Sequence, residues 1–353
     1  MSTLSTPPER APLPLKYGTA DDRVDWVAII ARLGPLIGLV FVVALFSVLR
    51  YNTFVRVGNF ELILRQTAVV GTAALGMTLI IIAGGIDLSV GSAIALVTVV
   101  IALMLPHEIT NLETGARQTV SGYSPFVAAL AGIGVGTACG LVTGVLVTRL
   151  KIVPFIITLG MMSSLRGMAH GLANNTMVYP QNNMLNSLLQ PINPQNLWLL
   201  TPGVWLMIVL AILTSAMLRY TRFGRHIFAI GSNENTARLC GVQVERTKVY
   251  VYMLGAALAA VAALLQFSYL TVGDPTTANG MELSIIASVV IGGASLSGGQ
   301  GSILGSIVGA LIMAVVANGC TKMGLPNWVQ EIVTGGIIIL AVALDLLRKR
   351  RTG

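Results

Sequence analysis

The chain has 353 residues, 54% of them hydrophobic and only 10% charged, with a formal net charge of +8. Soluble domains carry roughly 25% charged residues, so this composition excludes a soluble enzyme and describes a polytopic membrane protein. The basic excess then reads as cationic loops held on the cytoplasmic side of a membrane, with no nucleic acid as partner.

Residues 1–27 are polar and hold Pro7, Pro8, Pro12 and Pro14, the pattern of a disordered cytoplasmic tail without a secretory signal. Ten apolar stretches follow, at roughly 28–49, 66–83, 88–105, 125–148, 155–172, 203–218, 249–271, 279–294, 302–320 and 328–347. A helix needs about 20 such residues to cross ~30 Å of hydrocarbon. The fold class is therefore all-α: a polytopic membrane helical bundle of about ten transmembrane helices spanning 28–347, followed by a basic cytoplasmic tail at 348–353.

With both termini cytoplasmic, sixteen Lys and Arg lie inside: Arg10, Lys16, Arg23, Arg32, Arg149, Lys151, Arg219, Arg222, Arg225, Arg238, Arg246, Lys248 and the run 348–351. Five lie outside: Arg50, Arg56, Arg65, Arg117 and Lys322. The positive-inside rule selects this orientation. The outside loop 173–202 carries amides such as Asn174, Asn182 and Asn196 and no charge. It is read as a solvated loop or a docking loop.

An internal repeat aligns Gly84-Gly85-Ile86-Asp87-Leu88-Ser89 with Gly292-Gly293-Ala294-Ser295-Leu296-Ser297. Each copy ends one apolar stretch and begins the next. Short, Gly-interrupted spans at matching places point to a transport path. Asp87, Ser89, Ser295 and Ser297 are accordingly candidate path residues. The span count orients the copies alike, with an inverted repeat still open. Asp87 is read in two ways: as a buried carboxylate that binds an ion or proton, or as an N-cap of the following helix, the role its counterpart Ser295 shares. Arg166 and His170, four residues apart, share a helical face and either line the path or snorkel to the outer interface. Glu282 and Glu331 read as solvated or capping carboxylates at outer span ends. Gly132, Gly136, Gly140 and Gly144, and again Gly301, Gly305 and Gly309, form small-residue faces for close helix packing.

The stretch 219–248 is too polar to cross a bilayer. Within it Asn233 is an N-cap, Glu234 places negative charge in the first turn and Gly241 is a stop, giving a short helix from Glu234 to Cys240. A helix so short is marginal alone and calls for a partner surface; the plainer reading is a basic loop that fixes topology. The chain has no G-x-x-x-x-G-K-[ST] phosphate loop, nucleophile elbow or HExxH, and Cys139, Cys240 and Cys320 show no metal-ligand spacing, so it is not read as an enzyme and calls for no cofactor.

The motifs G-G-I-D-L-S-V-G-S at 84–92, G-R-x-I-x-A-I-G-S-N-E-x-x-A-R-L-x-G-V at 224–242 and G-G-A-S-L-S-G-G-Q-G-S at 292–302 together resemble the ribose-type permeases of ABC importers, the carbohydrate-uptake class for monosaccharides. The likeness runs from about residue 60 to the end and departs at Thr236-Ala237 and Cys240-Gly241. It implies a pair of permeases (homodimer or heterodimer) in the lipid of a bacterial inner membrane, a cytoplasmic ABC ATPase and a periplasmic sugar-binding protein. It also implies that the helix after Asn233 is a coupling helix seated in the ATPase, with Gly231, Asn233, Glu234, Thr236, Ala237, Arg238 and Gly241 as the coupling residues. Energetics agree: thousandfold accumulation of a sugar costs about 4 kcal/mol, which must enter from another protein. The alternative is an ion-coupled secondary transporter using Asp87.

Overall fold

Each of the ten apolar stretches contains a helix in a computed structural model of the protein, which describes residues 26–110, 117–191 and 200–352. Most of the N-terminal tail, together with residues 111–116, Asn196 and its neighbours, lies outside the described residues. In chain order the helices are α1 (Trp26–Leu49), the single turn α2 (Tyr51–Phe54), α3 (Val57–Ile82), α4 (Val90–Met104), α5 (Pro125–Leu150), α6 (Pro154–Leu172), α7 (Pro202–Tyr220), α8 (Arg222–Ser232), α9 (Glu234–Leu239), α10 (Val244–Leu270), α11 (Met281–Ile291), α12 (Ile303–Lys322) and α13 (Asn327–Thr352). A two-stranded antiparallel hairpin, β1 (His107–Thr110) and β2 (Arg117–Val120), follows α4.

The chain is thus a helical membrane bundle, but its helices do not all span. Among the described residues, five are long and apolar enough to cross a membrane by themselves: α3, α5, α7, α10 and α12. At 1.5 Å per residue, α4 with 15 residues and α11 with 11 reach only ~22 Å and ~16 Å of the ~30 Å needed. Both are interrupted helices. Conversely, α3 and α10 run past their apolar windows. The first turns of α3 are polar, and Arg65 there donates to the Leu189 carbonyl at 3.1 Å with Glu61 3.8 Å away.

Glycines set the packing of the core. A Cβ added at Gly136 would meet the Ala260 Cβ at 2.5 Å, one at Gly140 the Tyr252 carbonyl at 2.6 Å, and one at Gly144 the Val249 Cα at 3.0 Å, all on α10. Gly132 of the same stripe lies against Ile101 of α4, whereas Gly134, off the stripe, faces open space. On α12, Gly305 and Gly309 lie directly on the carbonyls of Gly292 and Ser288, so α12 runs antiparallel to α11 with backbones in contact. In lipid such close approach replaces the hydrophobic drive between helices with van der Waals packing. The Thr78 hydroxyl adds a hydrogen bond to the Ser306 hydroxyl at 2.7 Å, tying α3 to α12.

The same contacts resolve the repeat. α12 is antiparallel to both α3 (Gly71 near Ala310, Thr78 on Ser306) and α11, so the two copies run the same way. Each first helix ends at a left-handed glycine, Gly84 (φ +79°) and Gly293 (φ +92°). In each, the glycine N–H and the next N–H bond back to the last turn. These glycines are offset by one from the sequence alignment. The aligned Asp87 and Ser295 nevertheless make the same local turn, each accepting the N–H two residues on.

In its described part, residues 173–191, the loop after α6 is packed and not freely solvated. Leu185 and Leu189 are buried, and the Ser268 hydroxyl of α10 donates to the Asn186 carbonyl and accepts the Leu189 N–H. With Val178 bridging to Gly273 and His107 to Pro180, this loop, the hairpin and the end of α10 close one end of the bundle. α8 and α9 lie at the other.

Candidate functional site

The polar stretch 219–248 folds as two helices where the sequence promised one. Thr221 ends α7 and begins α8: its hydroxyl donates to the Met217 carbonyl and accepts the Gly224 N–H at 3.1 Å, turning a sharp corner. α8 was hidden by its arginines, yet Phe223, Ile227 and Ile230 recur at helical spacing, the signal that could have found it. Ile227 and Ile230 are buried. α9 follows as expected. The Asn233 side-chain oxygen accepts the Thr236 N–H at 2.9 Å. After Cys240 the N–H groups of Gly241 and Val242 return to the carbonyls of Arg238 and Ala237.

The register of α9 corrects one expectation. Ala237 does not face a partner: it is 4% exposed and packs with Ile230 and Val244 inside the chain. The outward face is instead Asn235, Thr236, Leu239 and Cys240, all exposed, and Leu239 is 88% exposed. Glu234 is held by Lys248 at 2.6 Å and by Arg238 at 3.4 Å, and Arg238 bonds Glu245 in turn. The Glu245 carboxylate raises the already basic Arg238 guanidinium further. Such half-exposed pairs contribute little stability; they fix the angle at which α9 leaves α10.

Behind α9 the three glycine motifs meet. The Gly299 N–H donates to the Ile82 carbonyl at 2.9 Å. Gly231, at the end of α8, is wedged between that carbonyl and Gly299, where an added Cβ would collide with Ile82 O and stand 2.5 Å from the Gly299 nitrogen. A Cβ at Gly298 would lie 2.8 Å from the Gly231 carbonyl and 3.0 Å from the Gly84 Cα. Residues 82–84, 231 and 298–299 thus form one all-backbone junction. It joins the helix beneath α9 to the loops that launch α4 and α12. No spacing in the sequence brings these residues together.

From Gly84 the chain climbs back into the bundle. Asp87, Ser89 and Val90 line a 10 Å³ cavity with Met77 and Ile80 of α3, room for about one water. α4 therefore starts more than a turn inside the level at which α3 ends. Its N-cap is Ser89, not Asp87. Asp87 stands two residues ahead and accepts both the N–H (2.8 Å) and the hydroxyl (2.6 Å) of Ser89 through one oxygen. Ser302 caps α12 with its side chain, which Ser89 does not do for α4: the Ser302 hydroxyl accepts the Gly305 N–H at 3.0 Å, and Ser295 sits in the preceding turn. The capping expectation is corrected to a turn that precedes the cap.

The start of α11 meets the start of α4. Residues 271–280 re-enter the bundle along α4, from Gly273 beside Thr98 to Ala278, whose carbonyl lies at Gly91. Glu282, in the first turn of α11, also reaches Gly91. It is thus not a carboxylate at an outer span end; it sits where the dipole of α4 favours negative charge. Arg166 holds this re-entrant segment, one guanidinium nitrogen donating to the carbonyls of Pro275 (2.8 Å) and Thr277 (2.7 Å). It neither snorkels nor stands free in a path. Of the candidate path residues, Asp87 pairs with Ser89 and Ser295 with Ser297; Arg166 belongs to a separate contact.

A family model described as "Branched-chain amino acid transport system / permease component" matches residues 59–342. The ribose import permease protein RbsC of Escherichia coli (strain K12) is 38% identical over 317 residues, 88% of this chain and 92% of that protein. This chain belongs to that permease family. The permease is also 36% identical to RbsC of Bacillus subtilis (strain 168), over 93% of this chain and 96% of that protein. It is 31% identical to the xylose transport system permease protein XylH of Haemophilus influenzae, over 90% of this chain and 96% of that protein. No solved structure matches. The permease is a multi-pass membrane protein and a transport subunit. The match covers α3 to α13 up to residue 342, and so every part of the junction.

Asp87→Asn is expected to retain uptake within about threefold, because the amide oxygen accepts both Ser89 bonds. Asp87→Leu should do far worse, as each buried donor left unpaired costs about 1–3 kcal/mol. Uptake by membranes matched for permease content measures both.

Proposed function

We propose that the permease is the membrane-spanning subunit of an ATP-driven ABC importer for a monosaccharide, a pentose, hexose or related sugar. In this reading a cytoplasmic ATPase seats on the outward face of α9. A periplasmic binding protein delivers sugar at the end closed by the hairpin. Two permeases pair as homodimer or heterodimer in the bacterial inner membrane, with both termini cytoplasmic. The observation that carries the reading is the junction: the residue that ends α8, Gly231, is in backbone contact with both repeat loops.

The mechanism follows from stiffness. ATP-driven movement of the partner would tilt α8, α9 and the start of α10 as a unit, since Ile230, Ala237 and Val244 pack together. Gly231 would pass that movement to residues 82–84 and 298–299 through backbone atoms, which lack rotamers to absorb it. α4 and α12 start from those loops, so their inner ends would shift and the path would open to alternate sides. Asn233, Glu234, Thr236, Arg238 and Gly241 set the shape and angle of the seat; Ala237 supports it from inside. Asp87, Ser89, Ser295 and Ser297 hold the turns that move. Nothing favours ion-coupled transport through Asp87, whose carboxylate is engaged by Ser89.

Reconstitution tests this. Proteoliposomes holding the permease, its ATPase and the sugar-binding protein should accumulate labelled ribose or another monosaccharide only with ATP inside the ATPase compartment. Uptake driven by an ion gradient without ATP would contradict the reading.

A further inference from the structure

We propose that an anionic phospholipid occupies the groove between α1 and α13, one acyl chain along the groove and its phosphate at the basic end of α13. The groove has a volume of 540 Å³ and a lining without any polar side chain. Gly34, Gly38 and Phe41 of α1 form one wall, Ile337 and Ala341 of α13 the other, and Ile312 of α12 part of the floor.

Its dimensions suit a lipid tail. From Gly34 to Phe46 the α1 wall extends ~18 Å, close to the ~15 Å of a single leaflet. One end is charged. α13 continues as helix to Thr352 and carries Arg348-Lys349-Arg350-Arg351, the first of them ~10 Å beyond Ala341. The headgroup region adds about 5–8 Å on each side of the hydrocarbon, so a basic run that far past an apolar groove is placed to meet a headgroup. Arg32 precedes Gly34 by two residues on α1. α1 and α12 run parallel, with Gly38 near Ile312 and Gly319 on Phe46, and α13 returns antiparallel to α12 through the short connection at residues 323–326. Arg32 and the 348–351 run therefore reach the same end of the bundle. A basic cluster directly outside a membrane helix attracts anionic headgroups.

A second permease fits this face less well. Symmetric pairing through it would set two runs of four cations side by side, and like charges across an interface oppose association. The lipid brings the opposite charge and a tail as narrow as the groove. The proposal rests on the membrane reading alone and does not depend on the ATPase docking at α9.

The test uses the full-length permease, purified in mild detergent and equilibrated with equal amounts of phosphatidylglycerol and phosphatidylcholine of the same chain length, then examined by native mass spectrometry. One phosphatidylglycerol per chain is expected to stay bound, with phosphatidylcholine retained at least about tenfold less. Two variants act on different halves of the site. Gly38→Phe fills the groove, where a Cβ meets only Ile312 at 3.7 Å and can be accepted. R348Q/K349Q/R350Q/R351Q removes the charge of the C-terminal basic run. Each should lower retention at least about fivefold. Equal retention of the two lipids, or unchanged retention in the charge variant, would overturn the proposal. So would a Leu340→Cys variant that cross-links to a second copy in native membranes, since that would put another permease on the groove.

Discussion

Gly231→Ala is expected to abolish most transport while leaving the permease in the membrane. The added methyl has nowhere to go. Its neighbours are the Ile82 carbonyl and the Gly299 nitrogen, both backbone atoms and already hydrogen-bonded to each other. Relief requires moving α8 away from both repeat loops, at an overpacking cost of about 1–3 kcal/mol. That opens the backbone link between α8 and the starts of α4 and α12. Uptake should fall at least about tenfold, the factor that 1.4 kcal/mol represents. Gly134→Ala, where nothing lies within 4 Å, is the matched control and should transport normally. Normal uptake by Gly231→Ala at equal membrane content would remove the junction from the mechanism.

Leu239→Asp is expected to separate the permease from its ATPase. Leu239 is 88% exposed on the outward face of α9, a large apolar side chain amid Thr236 and Cys240. It touches little within the chain, so the substitution leaves the fold intact. A central apolar anchor in an interface is worth about 2 kcal/mol, or roughly thirtyfold in affinity. Co-purification from detergent should be lost. Ala237→Asp, by contrast, should damage the seat itself, because it buries a charge between Ile230 and Val244. The two variants differ in protease sensitivity at 231–248: raised for Ala237→Asp, unchanged for Leu239→Asp.

Much of this architecture is legible in the chain, for reasons that are local. Apolar length marks the helices, Asn233 and Gly241 mark the ends of α9, and four-residue glycine spacing marks the close faces of α5 and α12. What escapes is set by register or by distance along the chain. A helix of six residues is too short for its apolar face to be read, so the inward Ala237 and outward Leu239 are decided only by packing against α8 and α10. α8 is masked by arginines that share its sequence but not its buried face. Arg166 looks like a path residue because its partners are carbonyls, which carry no sequence signal. The junction unites three motifs that the sequence presents separately, and only the close approach of their glycines explains why all three are glycine-rich.

If α9 is the seat of the ATPase, Cys240 reports its docking in the native chain. Cys240 is exposed on that seat, whereas Cys320 is buried and Cys139 half-buried within the bundle. The measurement is the rate at which a membrane-impermeant maleimide labels Cys240 in inside-out membrane vesicles, with and without the ATPase. Labelling should be rapid in the permease alone and at least about tenfold slower once the ATPase is bound, as expected of a residue enclosed by a desolvated interface. Equal rates with bound ATPase, or labelling only from the opposite face of the membrane, would contradict docking at α9.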